Sequence, residues 1–218
     1  MALINLFNVT KRYGSRSAIS DLSLEVNKGE FVFIAGSSGA GKTTLIKLLM
    51  AEIIADLGQI VIDRFNLKRM PASKIPGLRR RLGVVFQDFK LIPTRTVFQN
   101  VALRLEIEGI SQENIGKKVR YVLKKVGLEG KDQAFPLQLS GGEQQRVAIA
   151  RAIVGDPLIV LADEPTGNLD MKLSTSIVTI FEEINRTGTT VMMATHNRDI
   201  LEGTRHRIIK LEDGRLMV

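Results

Sequence analysis

The chain has no cysteine, which excludes disulfides and thiol catalysis and is compatible with a reducing compartment. No apolar run approaches the roughly 20 residues needed to cross a bilayer. The strongest, Phe31–Ala35 and Leu158–Ala162, are strand-sized. Met1-Ala2-Leu3-Ile4-Asn5 lacks the basic-then-apolar pattern of a secretory leader, so none is expected. No internal repeat, low-complexity tract or heptad run is present. A soluble chain without direct membrane insertion is expected, any membrane contact coming through a partner. Acidic residues are in the minority, 23 against 31 basic, for a net charge of +8. Only Arg79-Arg80-Arg81 forms a basic run, and the other charges read as dispersed. That run reads as a solvated helix face, or as a surface turned to nucleic acid or anionic lipid.

What is present is enough for one substantial core: 218 residues, 44% of them hydrophobic. Residues 3–8 and 22–26 alternate apolar and polar positions, the pattern of half-buried antiparallel strands. Phe31–Ala35 is apolar on both faces, as a central parallel strand would be. A helix over Thr43–Ala51 follows. From Phe89 to about Val154 helices dominate, over Asn100–Glu108, Ser111–Val126 and Ser140–Val154. Strands are then expected at Leu158–Ala162, Thr190–Ala194 and Arg207–Leu211, with a helix over Leu173–Asn185. Strands alternating with helices predict a parallel sheet covered on both faces.

Gly36-Ser37-Ser38-Gly39-Ala40-Gly41-Lys42-Thr43-Thr44 fits the phosphate-binding P-loop, and it stands between a buried strand and a helix, the context that loop requires. Its glycines let successive N–H groups curl around an anion, and the helix terminus adds to the attraction. Lys42 would reach terminal phosphates and Thr43 would offer its hydroxyl to Mg²⁺. Asp163 and Glu164 end a parallel strand, where ligands bind in open α/β sheets. Asp163 suits Mg²⁺ through its water shell. Glu164, expected on the opposite side of the strand end, could polarise a water for attack on a γ-phosphate. His196 leaves the same sheet edge and would touch that phosphate.

A second glycine-rich segment, Leu139-Ser140-Gly141-Gly142-Glu143-Gln144, is a capping box with serine at the cap and glutamate three residues on. Two glycines in the first turn cost helix stability. They would allow close approach to an anion. Because the P-loop already cradles the triphosphate, a second molecule supplying this helix end is the economical arrangement. The residues alone leave that open against a plain helix start.

These segments, with Gln87 and Ala162-Asp163-Glu164, fall in the order and spacing of the ATP-binding-cassette ATPases, which the chain resembles over nearly its whole length. The resemblance implies a P-loop NTPase of α/β class: a RecA-like parallel-sheet core with an antiparallel β-subdomain and an inserted α-helical subdomain. Residues 1–88 and 155–218 would form the core and β-subdomain, and 89–154 the helical one. It implies ATP and Mg²⁺ as ligands and a head-to-tail homodimer with ATP at the interface. By position, Tyr13 matches the residue stacked on adenine, and Gln87 one that touches Mg²⁺ and senses the partner subunit. Ser140, Gly142 and Gln144 match the segment completing the opposite site, and Glu164 the catalytic base. Asn168-Leu169-Asp170 occupies the loop between the two sites, with asparagine where many relatives carry serine.

The Ala-Asp-Glu-Pro-Thr-Gly-Asn-Leu-Asp and Gly-Gly-Glu-Gln-Gln-Arg-Val stretches resemble the branch serving lipoprotein release, macrolide export and cell division. The cell-division members are the most similar of these. They imply an integral membrane partner, contacted through Phe89–Glu108, and control of cell-wall hydrolases rather than transport. No nucleic-acid partner is expected. A chromosome-type ATPase would need a long coiled coil between Gly36 and Ser140, where there is no room. A small-molecule kinase would not need the second segment.

Overall fold

The computed structural model describes residues 2–217, and its elements follow from the patterning. Strands β1 (Ala2–Tyr13) and β2 (Arg16–Asn27) form a long hairpin, then β3 (Phe31–Ala35) runs into the P-loop and α1 (Lys42–Leu49). Strands β4 (Leu57–Ile62) and β5 (Phe65–Asn66), short helix α2 (Ile75–Arg79) and β6 (Leu82–Val85) follow. Three helices come next: α3 (Val97–Ile107), α4 (Gln112–Lys125) and α5 (Gly141–Ile153). The chain closes with β7 (Ile159–Asp163), α6 (Met171–Arg186), β8 (Thr190–Thr195), α7 (Arg198–Glu202), β9 (Arg207–Glu212) and β10 (Arg215–Met217).

Two sheets result. One is antiparallel, in the order β2-β1-β4-β5. The other runs β10-β9-β3-β8-β7-β6, parallel throughout except for β10. All five residues of β3 are buried. Phe31 and Phe33 join the core under α3–α6, whereas Val32 and Ile34 join the core shared with the antiparallel sheet and α1. A strand buried on both faces has no polar side, and so its apolar run is continuous.

Strands β4, β5, β6 and β10 and helices α2 and α7 add to the expected elements. The turn Asp63-Arg64 between β4 and β5 is short, and β6 is only four residues long. Neither leaves a pattern long enough to stand out. The basic run is not a plain solvated helix face. Arg79 donates to the carbonyls of Met50 and Ala51 just beyond α1 (3.3 Å each), and Arg81 pairs with Asp63 at 2.7 Å. Nor is the charge dispersed. Residues 64–81 hold seven of the 31 basic residues and none of the 23 acidic ones, leaving 24 against 23 elsewhere.

Among the described residues, no helix is long and apolar enough to cross a membrane.

Candidate functional site

The site forms where β3, β7 and β8 end on the same edge of the parallel sheet. Because β3 pairs with β8 and β8 with β7 in parallel register, the residues that follow each strand converge there. After β3 the backbone turns through Gly36–Gly41 into α1. Gly41 has φ +107°, and a side chain there would meet Ile19 Cδ1 at 2.9 Å, so only glycine fits between the loop and β2. Ala40 is buried in the core and anchors the loop from below, whereas Ser37, Ser38 and Gly39 are exposed along its rim.

Lys42 is buried, and its ammonium meets three oxygens. It donates to the carbonyls of Gly36 (2.7 Å) and Ser37 (2.9 Å) and pairs with Glu164 Oε1 at 3.1 Å. Glu164 extends the chain of charge, since its Oε2 lies 2.7 Å from His196 Nδ1. His196 itself is more than half exposed. Glu164 adopts φ +49°, the left-handed region that a long side chain rarely enters. Strain of about 1–3 kcal/mol is typical of such positions. Its N–H is tied to the carbonyl of Ala194 on β8 at 3.0 Å, which fixes this turn of the backbone. Asp163 instead points to Thr43, whose hydroxyl donates to Oδ1 at 3.2 Å. The two neighbouring carboxylates therefore diverge, one to the lysine and one to the threonine, as expected from alternation at a strand end.

Burial is the main force raising the Asp163 pKa above the ordinary carboxylate value. The Thr43 hydrogen bond opposes this, and the negative charge of Glu164 adds to it. Thr43 and Asp163 present only oxygen atoms, the donor type that Mg²⁺ prefers. The exposed side chain of Gln87 lies beyond β6, close to Gly167, where an added Cβ would come within 3.0 Å of its amide nitrogen. An open cleft of about 520 Å³ gathers Tyr13, Thr44, Gln87, Glu164 and His196 around the loop. Tyr13 is half exposed at its mouth, as a ring available for stacking must be.

A family model described as ABC transporter matches residues 19–167. The chain belongs to the ABC transporter family. It is 47% identical over 218 residues to the cell division ATP-binding protein FtsE of Streptococcus pneumoniae, covering 100% of this chain and 95% of that one. Against the protein of the same name in Mycobacterium tuberculosis it is 48% identical over 217 residues (99% and 94% covered), and in Escherichia coli 46% over 215 (98% and 97%). Among solved structures, the dimeric ABC transporter cassette MJ0796 superposes with TM-score 0.90 at 37% identity, covering 99% of this chain and 97% of that one. The same cassette in a post-hydrolysis state bound to ADP and Pi gives 0.89 at 36%, with the same coverage. This ABC cassette is an ATPase, with the RecA-like core, antiparallel subdomain and added helices of that fold.

Within the cassette, the second glycine-rich segment lines no part of the cleft. Ser140 caps α5: its Oγ accepts from Glu143 N at 3.3 Å, and its own N–H donates to Glu143 Oε2 at 2.9 Å. The backbone N–H of Ser140, together with Lys131 at 3.1 Å, lowers the Glu143 pKa. The two glycines differ. Gly142 is buried, and a Cβ would press on the Leu173 side chain of α6 at 3.3 Å, so packing disfavours a larger residue there. Gly141 is exposed and would tolerate a side chain, so packing within the chain does not account for glycine there. Gln144 bonds back to the carbonyl of Leu139 at 3.2 Å. The single chain thus carries two separate elements, the cleft and the start of α5, and does not join them. Asp170 caps α6 by accepting from Leu173 N at 2.9 Å, while Asn168 beside it is exposed.

Sequence reasoning passed over Arg16. It pairs across the β1–β2 hairpin with Tyr13 and lines the cassette's cleft, its guanidinium close to Gly39. The available signal was the tight turn Gly14-Ser15, which sets residue 16 opposite an aromatic already singled out.

Proposed function

We propose that this ATPase is the nucleotide-driven subunit of a membrane complex serving cell division. It works as a homodimer with ATP at the interface, against an integral membrane partner of the FtsX type. The observation carrying this reading is 46–49% identity, across nearly the full length of both chains, to cell division ATP-binding proteins. Peripheral attachment to the cytoplasmic face of the plasma membrane follows, as does coupling of closure to cell-wall hydrolysis. Residues 89–154 would move as the helical subdomain, with 1–88 and 155–218 as the core and β-subdomain.

The roles rest on the family resemblance, position by position, together with the geometry described above. The N–H groups of Gly36–Thr44 and the Lys42 ammonium bind the phosphates, and Tyr13 stacks on adenine. Thr43, Asp163 and Gln87 would hold Mg²⁺, which would neutralise phosphate charge. Glu164 orients the attacking water and accepts its proton. Its contact with His196 keeps the two side chains together in the cleft beside the P-loop, where a γ-phosphate would be met. Ser140, Gly142 and Gln144 of a second copy close the site, which is why one chain shows two unjoined halves.

Small-angle scattering of a Glu164→Gln chain at saturating ATP tests the pairing. A dimer is expected, and Ser140→Arg in the same background should leave ATP binding intact yet keep the chain monomeric. A monomer without Ser140→Arg would overturn the composite site. Co-purification with a four-span membrane protein bearing one extracellular domain, and division arrest on depletion, test the complex. Loss of lipoprotein release with normal division would refute the division reading.

A further inference from the structure

Seven cations without an acid among them, in residues 64–81, account for nearly the whole positive balance of the molecule. Folding gathers four of them around one concavity. Arg64, Arg69, Lys74 and Arg80 line a second open cleft of about 540 Å³ with Phe65 and Met70 in its wall. It shares no residue with the ATP cleft. Among the described residues, Arg81 alone of the seven reaches a carboxylate, that of Asp63.

The wall is held by its backbone. Arg104 of α3 bonds the Arg80 carbonyl and, at 3.2 Å, that of Leu82. Asn66 Oδ1 accepts from Lys68 N at 3.2 Å, and Pro71 and Pro76 restrict the turns leading into α2. Arg64, Arg69, Lys74 and Arg80 thus converge on a preformed concavity, where their mutual repulsion is left for an external anion to relieve. Guanidinium groups match phosphate oxygens in charge and in fork geometry.

We propose that this cleft is a second anion site, taking a phosphate-bearing ligand of two or more negative charges, either a free oligophosphate or the head group of an anionic phospholipid. A nucleic-acid face fits less well. The cations surround one cavity rather than tracking a strand. Phe65, the one aromatic in the wall, has the guanidinium carbons of Arg64 and Arg81 at 5.6 and 5.8 Å from its ring centroid, so it offers no open platform for a base. The proposal stands on charge and shape alone and does not depend on the cell-division reading.

The test has two arms. In the first, a Lys42→Ala chain, with its P-loop silenced, is titrated calorimetrically with pyrophosphate. In the second, the unaltered chain is floated with phosphatidylglycerol vesicles against phosphatidylcholine vesicles. Binding in at least one arm is expected, and the arm that binds identifies the source. Arg64→Glu/Arg69→Glu/Lys74→Glu should weaken it on the order of a hundredfold or more, taking about fivefold for each basic residue removed near an anionic surface, while ATP turnover is retained. Should that triple variant fail to fold, Arg69→Ala/Lys74→Ala should still weaken binding by about tenfold or more. No binding in either arm at low salt, or undiminished binding by the variants, would overturn the proposal. So would a duplex oligonucleotide that binds more tightly than both probes and depends on the same residues.

Discussion

Replacing Glu164 with glutamine should separate ATP binding from ATP hydrolysis, in opposite directions. The Lys42 ammonium is already saturated by Gly36, Ser37 and Glu164 oxygens at 2.7, 2.9 and 3.1 Å. Terminal phosphates must therefore share Lys42 with a carboxylate that also repels them. Two unit charges 3.1 Å apart attract by about 5 kcal/mol at an effective dielectric near 20. Desolvation of two largely buried groups offsets most of this, leaving about 1–2 kcal/mol for a nucleotide to displace. Glutamine keeps the shape and one hydrogen bond but loses that competition, so ATP should bind roughly 5- to 30-fold more tightly. Hydrolysis should fall by about 10²–10⁴, the usual contribution of a positioned general base. Equilibrium titration with a fluorescent ATP analogue and single-turnover phosphate release measure the two halves. Weaker ATP binding, or turnover within a few-fold of the unaltered chain, would refute the reasoning.

Two other changes probe a buried amide in α5 and a carboxylate beside the P-loop. Gln145 of α5 is fully buried and, among the described residues, neither of its side-chain amide atoms finds a partner. Gln145→Leu should therefore raise stability by about 1–2 kcal/mol, read as the midpoint of urea unfolding, and unchanged or lowered stability would mean that the amide is satisfied in solution. The raised Asp163 pKa has a definite sign. The folded, ion-free chain holds this proton more tightly than the unfolded one, so Asp163 makes stability fall as pH rises from the ordinary carboxylate value of about 3.9 to its raised folded value. Asp163→Asn should remove that decline, measured by thermal melting across the window, and Mg²⁺ affinity of the unaltered chain should rise over the same range; a parallel profile in the variant would refute it.

Much of this arrangement was legible because it is local. The P-loop, the capping box at Ser140 and the two fully apolar strands are each written in consecutive residues, and the order of the motifs identifies the cassette fold. What escaped depended on long-range placement. Strand β6 is four residues long and is recognisable only once β7 is beside it. Arg16 matters because a hairpin returns it to Tyr13. The basic residues at 64, 69, 74 and 80 are spaced without helical or strand period, so they read as scattered until short turns wrap them around one cavity.

Gly142 has a second constraint that the sequence did not reveal. In sequence it looks like room made for a ligand, and in the fold Leu173, thirty-one positions away, also presses against any added side chain there. Gly141 has no such neighbour pressing on it, so its glycine identity can be tested for a role at the composite site without disturbing the chain's own packing. Gly141→Ala is unopposed within the chain and should leave stability within a few tenths of a kcal/mol or raise it slightly. Any loss of ATP-dependent dimerisation in that variant must then arise across the interface, because nothing in the isolated chain objects to the added methyl.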